Sequence, residues 1–181
     1  TKGKSGTLLA ELFTFKKLFD EDAPLDDVFP DIVREFPKKY GKMTLQELCR
    51  QMHEYLRKVR ITKVLKDVYS HNPEQVMLPA KAYSELVNEN TELVRIRELQ
   101  NRISAVMVVP YPPGIPVIMP GERYTDETKR IVEYLNLSEE FDNKFPGFEN
   151  EMHGLKMKID SNNKKRYYTY CLKEIEQSEG E

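Results

Sequence analysis

Residues 106–122 hold five of the eleven prolines in this 181-residue chain, set between two apolar runs short enough to be buried strands. Proline fixes φ at about −65° and offers no N–H, so the middle of the stretch is excluded from helices and from central strands. It must be a stiff, extended loop. Pro113-Gly114 and Pro120-Gly121 place proline and glycine where a type II turn needs its second and third residues, so the loop is expected to turn twice. Two readings stand for it: a rigid crossover between two strands, or a rigid wall lining a binding site.

The segments around the loop follow from periodicity. Leu8, Leu12, Phe15 and Phe19 recur at helical spacing, after a turn in which Thr7 is a candidate cap. Pro24, Pro30 and Pro37 break the next stretch and leave a short helical turn around residues 31–36. Thr44-Leu45-Gln46-Glu47 matches a capping box, and Leu45, Leu48, Met52, Leu56 and Val59 continue it as an amphipathic helix. A weaker helix over residues 61–69 ends at His71-Asn72-Pro73, where a domain boundary is placed. Pro79 then opens a helix to about Asn88, residues 93–96 read as a strand, and residues 104–109 and 117–119 read as the strands entering and leaving the proline loop. A helix with acidic residues in its first turn is expected from Thr125, with Ile131, Leu135 and Phe141 on its buried side, ending at Pro146-Gly147. Leu155, Met157 and Ile159 alternate with polar residues, residues 161–164 make a turn, and residues 167–172 return as a hairpin.

The composition limits the function classes. A net charge of −2, with no basic run, argues against a nucleic-acid partner. No apolar segment approaches the roughly 18 residues of a membrane span, and residues 1–6 lack the apolar core of a signal peptide, so the protein is expected to be cytoplasmic. Cys49 and Cys171 are read as free thiols, and neither His53 nor His71 has companions at metal-ligand spacing. Gly3-Lys4-Ser5 lacks the remainder of a phosphate-binding loop. The start at Thr1 reads as the interior of a longer chain, so the sequence is expected to be a fragment that exposes an apolar patch and self-associates.

Among 30 acidic residues Glu122 stands out, because a Pro-Gly turn at a strand end would aim its carboxylate. It either pairs with the adjacent Arg123 or caps the following helix, or it recognises a cationic group. His153-Gly154 is read as a turn, and no nucleophile, base and orienting acid assemble from spacing.

Arg102-Ile103-Ser104-Ala105, the run from Pro110 through Tyr111, Pro112, Pro113 and Gly114 to Pro116, Met119-Pro120-Gly121-Glu122, Phe145-Pro146-Gly147-Phe148 and His153-Gly154 together resemble the C-terminal part of the bacterial ornithine/lysine/arginine decarboxylases. These are pyridoxal-phosphate enzymes of the aspartate-aminotransferase fold type. Thr1 to Lys4, Gly6-Thr7-Leu8, Phe15-Lys16-Lys17, Ala82-Tyr83 and Glu92-Leu93-Val94 are most similar to the acid-inducible arginine decarboxylase branch. Asn101 departs from the glycine that usually precedes the Arg-Ile pair, which puts the local turn in doubt.

The resemblance implies an α+β chain: residues 1–70 closing a small aminotransferase-type domain, residues 71–175 forming a C-terminal domain with a short mixed sheet and helices, and a disordered tail at 176–181. It implies substrate-channel candidates at Pro110, Tyr111, Pro112, Pro113, Gly114, Glu122 and Arg123. The family's cofactor lysine directly follows a histidine, whereas His53, His71 and His153 are followed by Glu54, Asn72 and Gly154. The catalytic lysine is therefore expected in the parent enzyme only, with no cofactor, metal or catalysis belonging to this piece. The implied partners are the rest of the parent, its dimer mate, higher assemblies up to a decamer, and a basic amino acid, arginine being converted to agmatine and carbon dioxide in acid resistance. A lysine or ornithine enzyme is the alternative within the family. Outside it stand a non-catalytic assembly module, and an unrelated enzyme using Glu122 and His153 as acid and base.

Overall fold

The computed structural model describes residues 8–111 and 113–173. Thr7 as a cap, Pro112 and the expected tail at 176–181 lie outside the described residues. By its internal contacts the chain divides into two compact units, Thr1–Val59 and Arg60–Glu181.

In the first unit α1 (Leu8–Asp20) is followed by three short helices, α2 (Leu25–Val28), α3 (Pro30–Glu35) and α4 (Pro37–Tyr40), and then by α5 (Leu45–Lys58). Prolines cause the segmentation. Pro30 and Pro37 each take the first helical position, where a missing N–H costs nothing, so each starts a new helix instead of prolonging the last. The expected turn at residues 31–36 is α3. The cap of α5 also forms: the Thr44 hydroxyl accepts the Glu47 N–H at 3.3 Å, and Leu45 and Leu48 are buried behind it. Leu25 N–H to Met43 O and Leu45 N–H to Ala23 O, both 2.9 Å, tie the α1–α2 turn to the start of α5. Helix α1 has the expected register, yet none of its residues is buried, and Leu8 and Phe13 are 74% and 63% exposed.

The second unit contains α6 (Ile61–Val68), β1 (Glu74–Gln75), α7 (Pro79–Val87), β2 (Thr91–Arg95), a 3₁₀ turn at Ile96–Glu98, β3 (Val109–Tyr111), β4 (Glu122–Arg123), α8 (Lys129–Lys144), β5 (Glu151–His153), β6 (Leu155–Ile159) and β7 (Lys165–Leu172). The class is α+β, but every described strand pair is antiparallel where a mixed sheet was expected. β2, β7 and β6 form one sheet, with two-stranded ribbons β1–β4 and β3–β5 beside it. A parallel pair would need a long crossover, whereas β6 and β7 are joined by a tight turn. In that turn one oxygen of Asp160 accepts the N–H of Asn162 and of Lys164, both at 2.9 Å.

Ile131 and Leu135 of α8 are buried in one core with Val94, Ile96, Leu99, Val108, Ile118, Tyr124 and Cys171. Val64 and Val68 of α6 belong to the same core, and α6 lies within the second unit. The strands expected at 104–109 and 117–119 shrink to single bridges, Ser104 with Cys171 and Val108 with Ile118. Pro116 and Pro120 have no N–H to extend a ladder, so the regular strand is β3. Helix α8 starts at Lys129, later than expected. The Thr128 hydroxyl accepts the Thr125 N–H at 2.9 Å to close a turn, and Asp126 is taken by Gln100 Nε2 at 2.9 Å.

Candidate functional site

The proline loop turns at Gly121 as expected, and at Gly114 through a wider bond than the expected type II turn. Gly114 has φ +81°, and its N–H reaches Pro110 O at 3.0 Å. At the second turn Gly121 has φ +85°, and the Glu122 N–H bonds Met119 O at 3.2 Å, which is a type II turn with Pro120 and Gly121 at its centre. Gly121 is boxed in on both sides. Its N–H donates to Ser104 O at 2.7 Å, its carbonyl accepts Val76 N–H at 2.9 Å, and a Cβ here would stand 2.3 Å from Met77 O. The Glu122 carboxylate braces the same turn by accepting the Met119 N–H at 2.7 Å. Arg123 points elsewhere, with its Nε 3.4 Å from the Glu74 carboxylate on β1.

One flank of the loop faces a cleft of about 170 Å³, where Pro116, Met119 and Glu122 meet Tyr69 and His71 from the end of α6. The Tyr69 hydroxyl donates to Ile115 O at 3.1 Å, fixing the far wall, and Ser70 Oγ lies 2.9 Å from His71 Nδ1. Of the described sequence candidates only Glu122 lines this cleft; Pro110, Tyr111, Pro113, Gly114 and Arg123 lie outside it. Tyr111, 56% exposed, ends β3 opposite Glu151, while Pro110 is buried in the same strand. Tyr69 and His71 carried no sequence signal, because what brings them to Glu122 is the packing of α6 on the core. His153 pairs with Glu151 at 3.2 Å and does not line this cleft, so the acid–base pair of the unrelated-enzyme reading is not assembled there.

A cleft of this size, below the usual ligand pocket, accepts the end of a chain, and a single carboxylate suits an ammonium or guanidinium group. It does not suit pyridoxal phosphate, which needs a buried lysine to bind covalently. Every described lysine except Lys165 lies on the surface, and Lys165 is half-buried and paired with Glu149. The described residues therefore do not fit that cofactor. Among them no group of three or more His, Cys, Asp or Glu could hold a metal. Cys49 and Cys171 are free, and burial pushes the Cys171 thiol up to about 12.

Behind the sheet, α8 buries two carboxylates. Glu139 is 1% exposed and grips Arg95 through both oxygens at 2.5 and 3.0 Å, with Arg166 at 3.4 Å and the Tyr167 N–H at 2.8 Å. Burial opposes its ionisation, but Arg95, the Tyr167 amide and Arg166 outweigh that and hold it below the usual carboxylate range. Asp142 is equally buried, and its donors among the described residues are neutral.

The family described as "Orn/Lys/Arg decarboxylase, C-terminal domain" matches residues 62–173, which include the proline loop, the cleft and α8. The chain belongs to this family. The lysine decarboxylase LdcA of Pseudomonas aeruginosa is 43% identical over 96% of the chain, and the biodegradative arginine decarboxylase of Escherichia coli is 38% identical over the same share. The solved lysine decarboxylase A from Pseudomonas aeruginosa superposes with a TM-score of 0.84 at 42% identity over 96% of the chain. The chain spans 23% and 22% of the two sequence relatives and 23% of the solved chain. The leaning toward the arginine branch is corrected by these identities, since a lysine enzyme matches better than an arginine one. Within this Orn/Lys/Arg decarboxylase domain the departure at Asn101 is resolved by geometry. Asn101 has φ +64°, and its N–H bonds Tyr124 O at 2.7 Å, so asparagine holds the left-handed position that glycine would otherwise take.

Proposed function

We propose that the chain is the C-terminal part of a pyridoxal-phosphate decarboxylase acting on a basic amino acid, supplying channel wall and subunit interface but not the cofactor lysine. The observation that carries this reading is the coverage: 96% of the chain matches a lysine decarboxylase, yet spans only 23% of it. Residues 1–70 are read as closing the small aminotransferase-type domain and residues 71–175 as the C-terminal domain of a cytoplasmic enzyme that dimerises and assembles further, up to a decamer. Pyridoxal phosphate, bound elsewhere in the parent, supplies the electron sink for loss of carbon dioxide. The part of this chain is to exclude water and orient substrate: the stiff loop at 110–116 as a wall, and Glu122 as the carboxylate facing the cationic end. Alone, the chain is inactive.

Two substrates compete. Arginine, in acid resistance, was the expectation from local motifs, and the higher identity to a lysine enzyme favours lysine. The test is a chimera in which this chain replaces the matching segment of the Pseudomonas aeruginosa lysine decarboxylase, assayed for carbon dioxide release from lysine, arginine and ornithine. Turnover on one of the three, with KM raised by Glu122→Gln, is the expected result. A folded, cofactor-loaded chimera inactive on all three contradicts the reading and leaves a separate assembly module. Unchanged KM in Glu122→Gln removes Glu122 from substrate recognition.

A further inference from the structure

The two buried carboxylates of α8 lie one turn apart and meet burial differently. Glu139 has three arginines, Arg95, Arg97 and Arg166, whereas the donors of Asp142 are the Asn150 N–H and Nδ2 on one oxygen at 2.9 and 3.0 Å and the Tyr167 hydroxyl on the other at 2.9 Å. None of these is charged, and a buried carboxylate without a cation is costly. The position of Asn150 gives this arrangement its consequence. It immediately precedes β5, whose Glu151, Met152 and His153 pair with Tyr111, Pro110 and Val109 of β3, the strand that enters the proline loop.

We propose that Asp142, Asn150 and Tyr167 form a proton-operated clasp that holds the β3–β5 ribbon closed when Asp142 is protonated and lets it open when Asp142 is ionised. The neutral acid keeps every bond of the clasp: its carbonyl oxygen accepts from Asn150, and its O–H donates to the tyrosine oxygen. An ionised Asp142 gains by opening, because water solvates it there. Burial raises its proton affinity in the closed state, against the pull of Asn150 and Tyr167, so the sign follows from linkage: protons favour the closed ribbon, and closure weakens as pH rises through the Asp142 transition.

The surrounding charged and titratable groups leave Asp142 as the responsive one. From β7 come Tyr167 and Lys165, whose ammonium is taken by Glu149. From the loop Glu149 adds a further negative charge. From α8 itself come Tyr134 and Glu139, the latter held by Arg95 and Arg166. On β5 the exposed His153–Glu151 pair is the competing source of pH dependence. The clasp rests on this geometry alone and is independent of the decarboxylase reading.

The experiment is amide hydrogen exchange on the whole 181-residue chain, corrected for intrinsic rates, following peptides that span 107–111 and 149–154 from about pH 7.5 to about pH 4.5. Ribbon protection is expected to rise at least about threefold on acidification. In Asp142→Asn, which mimics the neutral acid, it is high and flat with pH, and in His153→Gln the rise persists. Flat or falling protection in the unaltered chain, or a rise that survives in Asp142→Asn, overturns the proposal. Should that variant not fold, the Asn150 amide resonance of the unaltered chain decides. A midpoint above the ordinary aspartate range that coincides with the change in protection supports the clasp, and a midpoint within that range refutes it.

Discussion

Glu139 holds together two strands remote from it in sequence, through Arg95 on β2 and Arg166 and Tyr167 on β7. Removing one partner of such a cluster strands the others in a buried site. Glu139→Gln is expected to cost about 3–5 kcal/mol of unfolding free energy in urea. Its pH dependence has a definite sign. With its proton affinity held below the ordinary glutamate range, Glu139 contributes stability at neutral pH that is lost as pH falls from the ordinary glutamate range through that lowered value. The variant should therefore show a smaller loss in acid than the unaltered chain, and an equal acid loss in both would show that other groups carry it. Arg95 and Glu139 are 44 residues apart, and nothing local distinguishes residue 139 from the other surface-looking acids, so this cluster was invisible in the sequence. Asn101 is the opposite case, a visible departure whose meaning needed only its φ of +64°.

Elements whose signals are local were legible. The α5 cap, the β6–β7 hairpin and the Pro120-Gly121 turn of the proline loop are set by residues within a few positions of one another, and they form as read. The strands flanking the loop were overestimated. An apolar run predicts burial, which Val108, Val117 and Ile118 have, but whether a ladder runs depends on distant partners and on N–H groups that Pro116 and Pro120 lack. The two loop glycines then separate in a testable way. Gly121→Ala combines a left-handed φ with a clash against the Met77 carbonyl and should cost about 2–4 kcal/mol. Gly114→Ala meets only the Tyr111 ring at 3.4 Å and should cost about 1–2 kcal/mol, from its φ alone. Equal losses in urea unfolding would mean that the second turn is not locked against Val76 and Met77 as described.

At the scale of the molecule, α1 presents an apolar stripe, with Leu8, Leu9, Leu12 and Phe13 all more than half exposed. A soluble monomer rarely leaves such a stripe uncovered. Concentration-dependent association is expected in sedimentation velocity, and Leu9→Lys with Phe13→Lys should abolish it; a monomer at every concentration would assign the stripe another role. This stripe was legible as periodicity, but its exposure was not, because periodicity names a face without naming what covers it. The cleft at Glu122 was half legible: the turn aims the carboxylate, while Tyr69 and His71 arrive only through the packing of α6. The central claim is that this chain serves a pyridoxal-phosphate decarboxylase without anchoring the cofactor. It is tested most directly by incubating the purified chain with pyridoxal phosphate, desalting it, and recording both the visible absorbance of lysine-bound cofactor and carbon dioxide release from lysine, arginine and ornithine. No retained band and no release are expected, whereas a retained band with turnover on any of the three would contradict the account.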